Sequence, residues 1–564
     1  MEKNLSTLEK NLSKIIPYNP DLAEKIRKHN FADEVRLQLI NSESGDVNLI
    51  YNGVALHDLK NPQQEAFSIF KQNTNSSSIS LILGFGLGYL FKRAVISSKG
   101  KIIIYEPNLD ILRFTLEVAD FSQDMDFKRV YFANTKEELI KALNAAYEYK
   151  SSINLYALTS GLMLYKNELE ELKAFLPDII ANMELNFQTL FKNSYLWASQ
   201  GVQNIPHFLK NYSIDSLRGR FENKPAVIVS SGPSLDKSIE VLKANRDKYL
   251  IFCVANAYKT LVKHDIKPDF LVFVEANEIT NQVKYLDTSG LNFIVHSVAN
   301  NFIYKLDALR KFVFYCNNDL MTRWLSDITG LSAKDYENKG TVSYCAMNSA
   351  YVMGCNPIIL VGQDLAYTDN KCYSSESSFG ALKCTHDNNT NKFRLEVDNI
   401  QEFIKYYVNE KYCIKGRALL DQGYSDLNPD ETYLIHSDGK LFTLKEFIEM
   451  KLDELNQSIT FVKGQNGQMM PSDSNYAGFV QYFEEFAYEK RLHSPELELY
   501  NASVGGAQIN GFENLSLEDE AKNLSPINFN LDFILVDAIS KFSDPVKNHS
   551  GLIISRLKEL VADI

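Results

Sequence analysis

Between residues 224 and 361 short, near-continuous apolar runs alternate with helix-like stretches: Ala226–Val229, Tyr249–Val254, Phe270–Val274, Phe293–His296, Phe312–Tyr315 and Pro357–Val361. A run with no polar alternation has no face suited to water, so each must be covered on both sides. A chain of this pattern can bury its strands as a parallel sheet with helices on both faces, the doubly wound α/β architecture. The clearest half-unit is Lys224–Asn256, which reads strand, small-residue loop, helix, strand. Val342–Met353, rich in Ala, Ser, Met and Cys, suits a helix packed closely on that sheet.

In such sheets ligands bind outside the carboxyl ends of the strands. Those ends read Ser230 to Ser234, Asn256, Glu275-Ala276-Asn277, Ser297, Asn317 and Gly362-Gln363-Asp364. Almost all are small, amidic or acidic, which points to a shared polar ligand site. In Ser231-Gly232-Pro233-Ser234 the glycine permits close backbone approach, Ser234 offers a hydroxyl, and the following helix presents free N–H groups. The plain alternative is an ordinary turn with a serine cap. No Gly-Lys-Ser/Thr follows, so this is not a P-loop. Thr341 and Ser343, at the start of the small-residue helix, suit a phosphate or simple capping. Asp364 is a ribose contact, a metal ligand or a structural acceptor; without a second carboxylate at metal spacing the structural role is favoured. His386, in a polar stretch after the site, is a candidate general acid or base or a solvated loop histidine. His296, at a strand end, is the weaker second candidate.

A second βαβ unit lies upstream. Ile79–Leu83 reads as a strand, Gly84 to Gly88 as a glycine-rich turn, and Ile102–Tyr105 as a strand ending at Glu106. Rossmann-type sites use glycines for close approach and a carboxylate for ribose hydroxyls. The turn also resembles that of S-adenosylmethionine methyltransferases. The competing reading is a glycine turn that only lets helix and strand pack. Three regions are expected: an N-terminal Rossmann-like α/β domain over 1–185, a central parallel-sheet domain over 186–400, and a mainly helical region over 401–564. Residues 135–212 read as mostly helical and Lys371–Lys392 as a long loop or lid. Phe442–Leu455 and Tyr476–Leu492 read as helices, and Tyr500–Phe512 as a second small, glycine-containing polar loop with Asn501, Gly505 and Gly506.

The formal net charge of -12, with no basic run, argues against a nucleic-acid partner. Seven cysteines without pair spacing and nine scattered histidines signal neither a disulfide framework nor a zinc site. No signal-peptide core and no membrane span are read, so the expected location is cytoplasmic.

Four segments, PAVIVSSGPSLDKSIEVL, IKPDFLVFVEAN, NPIILVGQDLAYTD and NASVGGAQINGF, together resemble the motility-associated factor (Maf) flagellin glycosyltransferases. The central domain of that family includes relatives of archaeal hydroxymethylpterin pyrophosphokinase and resembles bacterial CMP-sialic-acid sialyltransferases. The resemblance implies transfer of a nonulosonic acid, pseudaminic or legionaminic, from its CMP-activated form to Ser or Thr of flagellin. That modification would serve flagellar assembly and motility, with no obligatory metal. Positions matching the sialyltransferase motifs are Ser231, Gly232, Pro233, Ser234, Asn256, Asn277, Thr341 and Ser343. Ser231 stands for the family's Asn and Ser343 for its Gly. Tyr367 and Tyr373 keep the separation of two phosphate-binding tyrosines, one place later. With Glu275, Gly362 and Asp364 from the strand ends these make the expected donor site, and Asn277 and His386 the expected catalytic residues. Alternatives are a pterin pyrophosphokinase-like enzyme or a non-catalytic flagellin-binding chaperone.

Overall fold

The computed structural model describes residues 6–32, 34–70, 76–126, 128–277, 283, 286–317, 319–377, 380–387, 392–407, 412–414, 417–418, 432–436, 439–527 and 529–562. The chain forms two compact units, Met1–Lys192 and Asn193–Ile564, where the sequence suggested three.

In the first unit four parallel strands, β1 (Ser78–Leu83), β2 (Lys101–Tyr105), β3 (Val130–Ala133) and β4 (Ser152–Ala157), stand in the order β3-β2-β1-β4, a Rossmann-type arrangement. Strand β1 is buried along its whole length, Ser78 and Ser80 included, as befits a strand covered on both faces. The 135–212 stretch is not all helical: β4 interrupts it, its Ser152-Ile153-Asn154-Leu155 alternating polar and apolar as a strand does. Thr135 caps the helix Lys136–Ala146 by accepting from Glu138 N at 3.2 Å. The Glu138 carboxylate accepts from Asn134 N at 2.6 Å, one residue before the cap, so the two do not close a reciprocal capping box.

The second unit is built on one all-parallel nine-stranded sheet. Its strands are β5 (Tyr212–Ser213), β6 (Ala226–Val229), β7 (Leu250–Val254), β8 (Phe270–Phe273), β9 (Asn292–His296), β10 (Arg310–Phe314), β11 (Ile358–Val361), β12 (Leu499–Asn501) and β13 (Glu513–Asn514). The order is β13-β12-β11-β6-β7-β8-β9-β10-β5. The chain therefore runs outward from β6 to β10 and then returns to the other side of β6 with β11, which makes the β6/β11 pair the topological switch point. Helices α1 (Leu235–Ala244), α2 (Ala255–Lys263) and α3 (Leu320–Thr329) border one apolar core, and α4 (Val342–Val352) lies in the other, across the sheet. Alternate residues of each strand feed opposite cores: Val227 and Val229 one, Ala226 and Ile228 the other.

Among the described residues the region after 400 carries both helices and short strands, and it does not stand apart. It contributes β12 and β13 to the sheet edge, and Phe483 and Phe486 of helix α5 (Ser474–His493) pack in the core that holds Ile228. Leu499–Asn501 is too short to carry a readable period, which is why the sequence concealed this joining. The expected lid over 371–392 is partly regular: Leu382–Asp387 pairs antiparallel with Lys392–Val397. Among the described residues six cysteines are unpaired and buried, and no helix is long and apolar enough to cross a membrane.

Candidate functional site

Two strand-end loops meet at the switch point. Gly232 N–H donates to Gly362 O at 2.7 Å and Ser230 N–H to Val361 O at 2.8 Å. This approach is possible only without side chains: a Cβ on Gly362, at φ +69°, would lie 2.1 Å from Ser230 O, and one on Gly232 would lie 2.2 Å from the Asp364 carboxylate. Asp364 is buried and accepts from Ser234 N at 3.1 and 3.2 Å and from Ser234 Oγ at 2.7 Å. Burial pushes its carboxyl up to about 6, against the opposing hydrogen bonds from Ser234. Ser234 is fully buried, and its hydroxyl is spent on Asp364. Both residues thus lock the two loops together.

Beside this lock lies a cavity of about 260 Å³. Its walls are the ends of β6, β7, β8 and β11, the first turn of α4, and aromatic residues from the later chain. Of the residues expected from sequence, Ser231, Gly232, Pro233, Asn256, Glu275, Thr341, Ser343, Gly362, Asp364 and Tyr373 line it together. Asn256 donates to Ser231 Oγ at 2.7 Å and accepts from Ser377 Oγ at 2.9 Å, so it ties the loop after β6 to the strap Cys372–Ser377. Ser374 N–H adds a bond to Ser231 O at 2.8 Å. The Thr341 and Ser343 hydroxyls are 3.0 Å apart at the open N-terminal turn of α4, whose N–H groups favour an anion. Burial pushes the Tyr373 hydroxyl up to about 12, which keeps it a neutral donor. The lining contains no Lys or Arg. Among the described residues no three His, Cys, Asp or Glu side chains converge to hold a metal ion.

Glu275 differs from Asp364. It is reached by solvent through the cavity, yet it is closely enough surrounded that desolvation raises its carboxyl, with the charge of His296 opposing. Among the described residues no donor is bonded to that carboxylate.

Other expected residues lie elsewhere. Tyr367 is buried outside the cavity lining, its ring 6.3 Å from that of Tyr476 and its N–H bonded to Pro471 O at 2.8 Å. Asn277 is exposed beyond the end of β8 and does not line the cavity. His386 sits on the hairpin strand opposite Phe393, ring centroids 4.8 Å apart, also outside the lining. Asn501, Gly505 and Gly506 support the site from behind. Asn501 accepts from Ser503 N at 3.1 Å, Gly505 N–H donates to Gln465 at 3.2 Å, and a Cβ on Gly506 would meet Asp364 O at 2.7 Å. The sequence reading missed Tyr476 and Phe479, which complete the aromatic wall from α5. Their signal was an aromatic stripe at helical spacing, indistinguishable in sequence from a core-facing stripe.

In the first unit the glycine turn is filled by the protein itself. A Cβ on Gly84 would meet the Tyr165 ring at 2.8 Å, on Gly86 the His57 ring at 2.4 Å, and on Gly88 the Phe121 ring at 2.5 Å. His57 Nε2 accepts from Leu87 N at 2.7 Å. Glu106 is fully buried and accepts from Phe85 N at 2.7 Å, Asn108 N at 2.9 Å and Tyr165 Oη at 2.8 Å. Burial pushes it up to about 7. The glycines make room for side chains, and the carboxylate is used internally, as in the packing reading of this turn.

A family described as 6-hydroxymethylpterin diphosphokinase MptE-like matches residues 199–370. An uncharacterised protein of Treponema pallidum (strain Nichols) is 23% identical over 241 residues, 41% of this chain and 82% of that protein. A second from the same organism is 33% identical over 61 residues, 11% of this chain and 29% of that protein. The solved structure of a Maf glycosyltransferase from Magnetospirillum magneticum AMB-1 superimposes with a TM-score of 0.50 at 15% identity, over 96% of this chain and 78% of that one. At that identity the likeness is one of fold.

Proposed function

We propose that this chain is a glycosyltransferase that moves a nonulosonic acid, pseudaminic or legionaminic, from its CMP-activated form to Ser or Thr hydroxyls of flagellin in the cytoplasm. What carries the reading is the cavity at the switch point, which gathers Ser231, Asn256, Thr341, Ser343 and Tyr373 around the open N-terminal turn of α4. Its chemistry suits the reaction. Breaking the bond between a keto-sugar carbon and a phosphate passes through an oxocarbenium-like state with charge gathering on the leaving phosphate. N–H groups of α4, the Ser231, Thr341 and Ser343 hydroxyls and the Tyr373 hydroxyl would receive that charge without a lysine or arginine. The shared fold with a Maf glycosyltransferase supports the same reading. No obligatory metal is proposed, since Asp364 is engaged with Ser234 and leaves Glu275 as the uncommitted carboxylate of the cavity.

The test is the intact mass of flagellin incubated with this protein and a CMP-nonulosonate, with Thr341→Ala and Tyr373→Phe as variants. A mass gain of one sugar residue, reduced in both variants and unaffected by chelator, is expected. Unchanged flagellin mass with the wild-type protein would overturn the proposal. The matched family favours a second reading, a pterin pyrophosphokinase. Calorimetry separates the two: CMP binds without magnesium in the first, ATP with magnesium in the second.

A further inference from the structure

We infer that Glu275 takes the proton from the acceptor hydroxyl, and that His296 and Asp319 are positioning residues standing behind it. The inference rests on the transferase reading above. Two acidic residues line the cavity, Asp364 and Glu275. The first is consumed by three donor contacts from Ser234. The second has its backbone held rigidly, Asn300 N–H donating to Glu275 O at 2.8 Å and Asn300 Nδ2 to Ala276 O at 3.2 Å. Glu275 lines the cavity, and among the described residues no donor is bonded to its carboxylate. A general base needs this combination of fixed position and an uncommitted lone pair.

What lies behind Glu275 is unusual for the interior of a parallel sheet. His296, at the end of the adjacent parallel strand, is buried and stacked on Phe314 at 4.8 Å and 17°. Its Nε2 is 3.4 Å from Asp319 Oδ2, close enough for attraction but out of hydrogen-bond alignment, so both ring nitrogens lack a hydrogen-bond partner. Asp319 is fixed in turn by Thr322 N at 2.6 Å, Thr322 Oγ1 at 2.8 Å and Ser297 Oγ at 3.1 Å. A buried imidazole costs stability when its nitrogens are unpaired, and packing alone would favour a phenylalanine there. His296 from β9 acts on Glu275, its charge holding the carboxyl down, and Glu275 in turn acts on Cys345 of α4, whose thiol is raised by burial and by that carboxylate. Desolvation is the larger effect, and it raises Glu275 toward the range where a carboxylate is a useful base. In the step itself the acceptor oxygen bonds to the anomeric carbon. The carbon–oxygen bond to phosphate breaks, its electron pair leaves with CMP, and the hydroxyl proton passes to the Glu275 carboxylate. No oxidant or reductant is involved.

Glu275→Gln removes the base while keeping shape. Its kcat for flagellin modification, read at saturating donor, is expected to fall by about 10²- to 10⁴-fold. Glu275→Asp, which keeps a withdrawn carboxylate, should be intermediate. His296→Phe retains the stack on Phe314 but not the charge. It should move the acidic limb of the kcat–pH profile to higher pH while preserving the plateau, which a purely structural role would not do. Wild-type kcat in Glu275→Gln overturns the catalytic role, and an unmoved limb in His296→Phe overturns the positioning role. A wild-type protein that binds no CMP overturns the transferase reading and this role with it.

Discussion

Replacing Asp364 by asparagine separates the charge of the lock from its shape. The carboxyl is raised from its ordinary value of 3.8 to about 6, chiefly by burial. The folded protein therefore holds this proton more tightly than the unfolded chain does. Between pH 4 and pH 6 the folded state binds more protons, so the contribution of Asp364 to stability is fully present below pH 3.8 and is lost as pH rises through 6. A shift of about two pKa units corresponds to about 3 kcal/mol. Asparagine cannot ionise and never incurs that cost. Its Oδ1 can still accept from Ser234 N–H, and its Nδ2 can donate to the Ser234 hydroxyl, so any geometric penalty is constant with pH. The stability of Asp364→Asn relative to wild type should therefore rise by about 2.5 kcal/mol from pH 4 to pH 7. Urea denaturation followed by tryptophan fluorescence reads this directly, because both tryptophans, Trp197 and Trp324, lie in the second unit and pack against its core. Parallel stability–pH curves for the two proteins would refute the reasoning, since they would mean that Asp364 is not held in a desolvated, proton-retaining site.

Gly232→Ala should destabilise the second unit by about 3 kcal/mol or prevent its folding, since the new Cβ would meet both Asp364 and Gly362 O, 2.2 and 2.5 Å away; the urea midpoint checks it. Glu106→Gln should leave one of three donors (Phe85 N, Asn108 N, Tyr165 Oη) unsatisfied, at a cost of about 1–3 kcal/mol. That cost should appear below pH 4.5 and be offset as pH rises through 7, because the wild-type carboxylate is raised to about 7 by burial; hydrogen exchange at Phe85 and Asn108 across pH tests it. Phe479→Ala should weaken CMP binding by about 1 kcal/mol, roughly fivefold in Kd, with the urea midpoint nearly unchanged; calorimetry decides.

The sheet of the second unit was readable in outline because double-sided burial leaves a local mark. Ala226–Val229 and Ile358–Val361 are strands within a residue of the expected bounds. The helix Val342–Val352 ends one residue early. What was not readable involved short or distant pieces. Tyr212–Ser213, Leu499–Asn501 and Glu513–Asn514 are strands because the sheet edges hold them, not because two or three residues prefer to be extended.

The same division runs through the site. Polar residues following apolar runs are visible in a linear sequence, and they led to Ser231, Asn256 and Glu275. Which polar group is engaged and which is available is not visible, because a hydrogen bond depends on a partner about 3 Å away in space. Ser234 meets Asp364 across 130 residues of chain, and that contact takes both out of consideration as free ligand groups. Tyr476 and Phe479 enter from a helix more than a hundred residues beyond the strap they adjoin. The glycines at 84, 86 and 88 face Tyr165, His57 and Phe121. By itself, then, the sequence determined the parallel sheet and the ring of polar strand ends, since strand period and burial are properties of neighbours. Only the tertiary structure decided that Glu275 lines the cavity uncommitted, that Asp364 does not, and that the N-terminal turn is closed by side chains, since each depends on groups brought together by folding.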